Sequence, residues 1–171
     1  MPRPSNLPSS LQTQTDALGR WYKWSSSFPF RFSYIALDRT AATPTLLVGE
    51  YQTSTSSPIR MAKFALDPST GRLKMTGKTA KATWAYCVGI ERMQGAVSAN
   101  GKIYISRSNG KNPGDAFGWI PGQAAHKNAG FFPQSPEDLS YDKRRGGRVY
   151  TLTEAAGKRY IVDSAAKSVD S

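Results

Sequence analysis

Apolar and polar side chains alternate over short runs along most of this chain, and residues that favour turns separate the runs. Alternation with a period of two predicts β-strands that bury one face and expose the other. The segments between the runs lack the 3.6-residue period of an amphipathic helix. The sequence therefore predicts an all-β protein with strands over residues 34–38, 45–51, 60–66, 95–98, 102–107, 139–142, 148–154 and 159–163.

Two of the intervening turns have clear sequence signals. Residues 67–73 read Asp-Pro-Ser-Thr-Gly-Arg-Leu, in which Pro68 presets one turn dihedral and Gly71 supplies a positive φ. Asn100-Gly101 is a dipeptide favoured in tight two-residue hairpins. Both segments are predicted to reverse the chain between strands.

A repeated sequence pattern groups the predicted strands into larger units. Residues 35–38 align with residues 139–142, and without a gap residues 47–50 then fall on 151–154, so that both copies end in Glu. Residues 95–106 supply a middle copy with Asn100-Gly101 at its turn. Copies that begin roughly 45–60 residues apart suit the four-stranded blades of a β-propeller. We therefore predict antiparallel four-stranded blades, about three of them, in a partial β-propeller; a meandering antiparallel sandwich is the structural alternative.

Several short motifs resemble a known group. Residues 135–142 (Ser-Pro-Glu-Asp-Leu-Ser-Tyr-Asp), 148–154 and 157–162 look like the last blade of secreted β-propeller proteins from actinobacteria and fungi. Residues 36–39, 48–51 and 92–95 follow in similar order, so the resemblance covers residues 34 to 163. The group is mostly uncharacterised, and the resemblance therefore implies C-terminal propeller blades and a secreted parent rather than an activity.

The boundaries of the predicted domain follow from composition. Residues 1–18 are rich in Pro, Ser, Thr and Gln and are expected to form a disordered N-terminal tail. Residues 19–164 form the expected partial propeller, and residues 165–171 a C-terminal tail. The first residues show no signal peptide, so secretion is expected only through the resemblance. Because three blades cannot close a ring, self-association through the open blade edges is expected.

The chain is strongly basic, with 23 Lys and Arg against 12 Asp and Glu and a formal net charge of +11. Such a charge attracts polyanions and acidic surfaces through its long-range field. The basic residues are scattered, and the one tight run, Lys143-Arg144-Arg145-Gly146-Gly147-Arg148, fits a turn between two strands. Binding of nucleic acid or an anionic surface by the four basic residues of this run is an alternative function, but nucleic acid is not the expected partner.

Few residues suit nucleophilic catalysis. The chain has one histidine, His126, in a polar stretch that predicts a loop, and it has no Gly-X-Ser-X-Gly motif. The single cysteine, Cys87, excludes an intramolecular disulfide and is predicted to be a small buried residue. The sequence shows neither a phosphate-binding glycine loop nor an apolar run long enough to span a membrane. Whether the chain is an enzyme is left open.

Carboxylates are the better candidates for a site. Equivalent positions of successive blades converge around the channel of a propeller, and Glu50 and Glu154 are equivalent in the repeat. We predict a scaffold that binds a small polar ligand or a protein partner at a channel mouth lined by Glu50, Gln94, Arg107, Glu137, Asp138 and Glu154. No cofactor is required, although Ca²⁺ suits these oxygen ligands. The enzymatic alternative is a metal-dependent hydrolase of the lactonase or phytase-like propeller type, with Glu50, Glu137 and Glu154 near the metal.

Overall fold

A computed structural model describes residues 31–77 and 79–171, together with two short strands nearer the N-terminus. These strands, β1 (Thr13–Asp16) and β2 (Gly19–Tyr22), pair antiparallel. Apart from β1, the predicted tail over residues 1–18 lies outside the described residues.

Three antiparallel sheets make up the described chain, and each follows the order of the sequence. The first contains β3 (Phe32–Asp38), β4 (Thr45–Glu50), β5 (Arg60–Ala65) and β8 (Ala82–Cys87), with a hairpin of β6 (Met75–Thr76) and β7 (Thr79–Ala80) before β8. The second contains β9 (Met93–Ala99), β10 (Lys102–Asn109), β11 (Asn112–Trp119) and β12 (His126–Gln134). The third contains β13 (Pro136–Asp142), β14 (Arg148–Thr153) and β15 (Ile161–Ala165).

This arrangement confirms the predicted all-β class with antiparallel meander sheets, and it is consistent with about three propeller-like blades. The third sheet has three strands instead of four. The aligned segments 35–38 and 139–142 both end the first strand of a sheet, and the segments 47–50 and 151–154 both lie at the end of the second. The repeat in the sequence therefore corresponds to a repeated strand–turn–strand unit.

The second sheet is buried on both faces. One face packs against the first sheet, where the buried side chains are Tyr34, Leu47, Ile59, Met61, Ile90, Met93, Ala96, Ile103, Ile105, Phe117 and Trp119. The other packs against the third sheet around Val97, Ala99, Tyr104, Ala116, Phe132, Leu139, Val149, Ala166 and Val169. Two sheet-on-sheet cores thus hold the molecule together, since burial of apolar area is the dominant stabilising term.

The first strands of the three sheets lie side by side, with β9 between β3 and β13. The approach of β9 to β13 depends on Gly95, because a Cβ atom there would lie 2.3 Å from the backbone carbonyl carbon of Asp138. In a propeller the first strand of each blade faces the central axis. The ends of β3, β9 and β13 are therefore where residues from all three sheets can meet.

Both predicted turns are confirmed. Asn100 and Gly101 have φ of 53° and 75°, as a tight primed hairpin requires. At the other turn the Asp67 carboxylate accepts hydrogen bonds from the backbone amides of Ser69 and Thr70, and Gly71 has φ of 67°.

Other local predictions were wrong. The stretch around His126 is the start of β12 rather than a loop, and Cys87 at the end of β8 is exposed rather than buried. Sequence patterning also missed β8, β11 and β12. β11 contains Pro113, Gly114 and Gly118, residues that disfavour strands when they are considered alone, but pairing with β10 and β12 on either side overrides this preference.

The last residues, 165–171, include a short 3₁₀ helix at Ala166–Asp170. Its Ala166 and Val169 side chains are buried in the core between the second and third sheets. No helix among the described residues is long and apolar enough to cross a membrane.

Candidate functional site

The predicted site residues are distributed over one end of the first strands, which we call the carboxylate end. It is defined by Gln94 in β9, Glu137 in β13 and Glu154 just after β14. The opposite end, the hairpin end, is where the turns that leave β3, β9 and β13 meet. Because all three strands run from the carboxylate end to the hairpin end, these two regions lie on opposite sides of the molecule.

Four of the predicted residues, Gln94, Glu137, Asp138 and Glu154, come together at the carboxylate end. The side-chain amide of Gln94 donates a hydrogen bond of 2.8 Å to Glu137 Oε1. Burial raises the pKa of Glu137 to about 7, and the neighbouring Glu154 carboxylate, followed by Asp138, adds to the effect. Burial also raises the pKa of Asp138. Glu137 is therefore able to hold a proton near neutral pH.

A β-bulge positions Glu137 and Asp138. Between Glu137 and Ser140 the pairing of β13 with β14 shifts, and Asp138 takes a φ of 39°, in the left-handed region that Asp tolerates better than most residues. The single O–H of the buried Thr151 stabilises the bulge, because it lies within hydrogen-bonding distance of the carbonyl oxygens of both Glu137 and Asp138 and is shared between them. The bulge thus turns two successive carboxylates away from the regular strand pattern.

Glu50 is separated from this group by its own ion pair. Its side chain is fully buried, and it accepts hydrogen bonds of 2.7 Å from both Nε and a terminal nitrogen of Arg60. The backbone amides of Arg60 and Arg31 donate to the same carboxylate. Burial alone would raise the pKa of Glu50, but the hydrogen bonds from Arg60 outweigh it and keep the pKa below its usual value. Glu50 has a structural role here.

Arg107 also has a structural partner. Its Nε lies 3.2 Å from a carboxylate oxygen of Asp115, which is buried in β11. Lys127 Nζ lies 3.2 Å from the same oxygen, and the amide of Gly130 donates to the other oxygen. These bonds link β10, β11 and β12 across the second sheet.

The carboxylates do not assemble into a metal centre in this structure. Among residues 31–77 and 79–171 no three His, Cys, Asp or Glu side chains are grouped so that they could hold a metal ion. Glu50, one of the three residues of the proposed hydrolase site, is instead neutralised by Arg60.

A concavity lies at the hairpin end. It has a volume of about 650 Å³ and is lined by residues from all three first strands and their turns. We call it the hairpin-end cavity. Its lining residues are Leu37, Arg39, Thr40, Val97, Ser98, Ala99, Asn100, Tyr141, Asp142, Lys143 and Arg144.

Equivalent aspartates fix two of the turns around this cavity. Asp38 Oδ1 accepts from the backbone amide of Thr40 at 2.9 Å, and Asp142 Oδ1 accepts from the amide of Arg144 at the same distance. Both are Asx-type turns, in which the carboxylate caps the backbone two residues later. The residue between each Asp and its capped amide is basic, Arg39 in one turn and Lys143 in the other.

The two aspartates also differ in their cationic partners. Burial would raise the pKa of Asp38, but hydrogen bonds from Lys63 and Thr40 outweigh it and lower the pKa below its usual value. Asp142 is more exposed, and the guanidinium of Arg144 lowers its pKa. Arg39 and Lys143 make no ion pair with any described residue, so their charges face the cavity and solvent.

The sequence singled out Lys143 and Arg144, but only for an anionic-surface alternative, and it did not single out Arg39. The signal was present in the repeat, because Arg39 and Lys143 follow the aligned aspartates Asp38 and Asp142. The sequence did not show that the turn at Asn100, in the second sheet, lines the cavity between Arg39 and Lys143.

Comparison of the chain with protein-family models, curated proteins and solved structures found no match.

The raised pKa of Glu137 predicts a pH dependence of stability. A carboxyl with an ordinary pKa of 4.5 and a folded pKa of about 7 keeps its proton longer in the folded state, so stability falls as the pH rises from 4.5 to 7. In Glu137→Gln this loss should be absent, and the introduced side-chain amide oxygen can still accept from Gln94. The variant should match wild type at pH 4 and exceed it at pH 8 by about 2 kcal/mol, less than the full shift implies because Glu137 is partly exposed to solvent. Urea unfolding measures the difference. A constant difference across this range would contradict the prediction.

Proposed function

We propose that the chain is a partial β-propeller that acts as a binding scaffold and holds a small polar ligand in the hairpin-end cavity. The observation that carries the proposal is the cavity of about 650 Å³ built from the first strands of all three sheets. Pockets for small ligands commonly have volumes of about 300–1,000 Å³. Where blades meet around an axis, such a cavity is the usual place for a ligand.

The composition of the lining supports a polar ligand. Leu37, Val97 and Tyr141 give apolar walls, whereas hydroxyl, amide and charged side chains from the three turns form the rest. Polar or charged residues make up seven of the eleven lining residues, more than in a typical apolar pocket, and this lining favours a polar ligand. The hydrolase alternative has less support, because Glu50 is bound by Arg60 and is not available to a metal.

Self-association is a further part of the proposal, and its support comes from the outer faces of the first and third sheets. Ile35 in β3 is 56% exposed, Leu152 in β14 is 49% exposed and Ile161 in β15 is 86% exposed. The second sheet buries apolar side chains of this kind on both of its faces. A second copy of the chain could cover the outer faces in the same way, and the mass measured by sedimentation would show it.

A ligand screen by ¹⁵N–¹H NMR tests the proposed site. Small polar compounds that bind are expected to shift the amide signals of Ser98, Asn100 and Tyr141, which line the cavity from two sheets. Replacing Leu37 with Trp should narrow the cavity next to β3 and weaken or abolish those shifts.

Ile35→Trp is the matched control for this screen. Ile35 lies two residues earlier on the same face of β3, is exposed, and does not line the cavity. Binding should therefore survive in Ile35→Trp, provided that sedimentation shows the same mass for the variant and wild type, since Ile35 also lies on the proposed self-association face. If no compound shifts the cavity signals, or if both tryptophan variants abolish binding equally, the proposed site is wrong.

A further inference from the structure

Cations outnumber carboxylates around the hairpin-end cavity. Arg39, Lys143 and Arg144 line it, and Asp142 is the one acidic residue among the lining side chains. Asp142 is already bound to Arg144, with a terminal nitrogen 2.8 Å from its Oδ2. Arg39 and Lys143 have no carboxylate partner in the described chain. The cavity therefore presents two uncompensated positive charges from two different turns.

The repeat explains why these two charges flank the cavity. Asp38 and Asp142 cap their turns in the same way, and each cap fixes the backbone of the basic residue that follows. Arg39 extends from the first sheet and Lys143 from the third, while the turn at Asn100 in the second sheet lies between them. An arginine fork and a lysine point charge on opposite sides suit one ligand with charges at both ends.

Ser98 forms part of the cavity wall between the two cationic turns. It lines the cavity and is only 8% exposed, and its Oγ is shielded from solvent. The hydroxyl helps to lower the pKa of Asp38. Ser98 therefore supports the Asp38 turn, and the charges of Arg39 and Lys143 are the groups that a ligand would reach.

From this arrangement we infer that the ligand of the hairpin-end cavity is a small multivalent anion carrying phosphate or carboxylate groups, held between Arg39 and Lys143. The inference rests on the proposed binding role of the cavity and names the class of its ligand. Nucleic acid fits less well. Arg148, the last basic residue of the run noted in the sequence, is bound to Asp163, and Arg145 of that run does not line the cavity. The two uncompensated cavity charges, Arg39 and Lys143, come from two different turns instead of forming a stripe.

The test uses pyrophosphate and citrate as anionic probes, a neutral disaccharide as the uncharged probe, and a short DNA duplex as the competing polyanion. Affinities are measured by NMR titration of the full chain. The variants are Arg39→Gln and Lys143→Gln, both at exposed positions. Lys111→Gln is the matched control, because Lys111 is equally exposed but lies in the β10–β11 turn at the opposite end of the sheet.

We expect pyrophosphate or citrate to shift the signals of Ser98 and Asn100, and each cavity variant to weaken binding about tenfold, as the loss of one charge-assisted contact predicts. Lys111→Gln should leave the affinity within about twofold of wild type, since it removes the same charge without a contact to the ligand. This combination would establish the anion site.

Other outcomes separate the two proposals. Binding of the disaccharide in the cavity without binding of either anion would overturn the anionic class and leave the binding scaffold intact. Equal weakening by Lys111→Gln and the cavity variants would show that only the overall charge of +11 attracts the anions, and would overturn the inference. Tight binding of the DNA duplex that is lost equally in all three variants would identify nucleic acid as the partner instead. No signal change in the cavity with any probe would overturn the scaffold as well.

Discussion

Replacing Glu50 with Gln is expected to lower the free energy of unfolding by about 3 kcal/mol, because it leaves Arg60 without its buried counter-charge. The carboxylate is fully buried and receives four hydrogen bonds, two from the Arg60 side chain and one each from the backbone amides of Arg60 and Arg31. We place the loss at the lower end of the range for buried pairs because the Arg60 side chain is 28% exposed and can recover some hydration. Urea unfolding at neutral pH measures the effect.

Glu154→Gln provides the matched control, since Glu154 holds the equivalent position of the repeat but is exposed. Its stability should stay within about 0.5 kcal/mol of wild type, or rise slightly, because the change removes a like charge beside Glu137. Equal losses in the two variants would mean that the Arg60 pair adds nothing beyond an exposed carboxylate.

The effect of Glu50→Gln should also depend on pH. The pKa of Glu50 is lowered in the folded chain, so its contribution is present above the ordinary value of 4.5 and is lost as the pH falls through the lower folded pKa. The difference between wild type and variant should accordingly shrink only in acid.

Gly95→Ala is expected to destabilise the chain by about 3 kcal/mol, because the added methyl group has no room. The Cβ atom would lie 2.3 Å from the carbonyl carbon of Asp138 and 2.5 Å from the backbone nitrogen of Leu139. These are backbone atoms of β13, so β9 and β13 would have to separate. Thermal unfolding measures the loss of stability. The pKa of Glu137 should fall towards its ordinary value as water enters, which NMR titration would detect.

Gly118→Ala is the control for this prediction. A Cβ at Gly118 would also approach another atom at 2.3 Å, but that atom is Oδ1 at the end of the Asp170 side chain, and the next atom is 3.5 Å away. Rotation of Asp170 relieves the clash at the cost of its partly exposed ion pair with Lys102, so the expected loss is about 1 kcal/mol or less. If Gly95→Ala were no more harmful than Gly118→Ala, the close approach of β9 to β13 would not be required for the fold.

Local signals in the sequence predicted much of the strand framework. Alternating side chains located the first two strands of each sheet, and the dipeptide Asn100-Gly101 and the segment at residues 67–73 located two turns. These features depend on backbone preferences and on a period of two, which act over a few residues. β11 was missed because pairing with β10 and β12 on either side outweighs its proline and glycines, and β12, which pairs with β11 alone, was missed because its residues do not alternate regularly. Cys87 was misplaced because nothing local shows that β8 lies at an edge.

The candidate site also combines relations that the sequence predicted with contacts that it could not predict. The repeat alone related Asp38 to Asp142, Arg39 to Lys143 and Glu50 to Glu154. It could not show that Arg60 at the start of β5 buries Glu50, whereas Glu154 has no basic partner among the described residues. Nor could it show that Gln94 of β9 reaches Glu137 of β13, 43 residues later. Equivalent positions in a repeat have the same backbone conformation, but the side chains that contact them from adjacent strands and sheets differ.

By itself, the sequence determined that this protein is basic, all-β and built from repeated antiparallel strand units, because charge, alternation and turn chemistry are properties of local sequence. Only the tertiary structure decided which end of the sheets holds a cavity and which carboxylates are bound by arginine. Those outcomes depend on the packing of β3, β9 and β13 against one another, which brings together side chains that lie far apart along the chain.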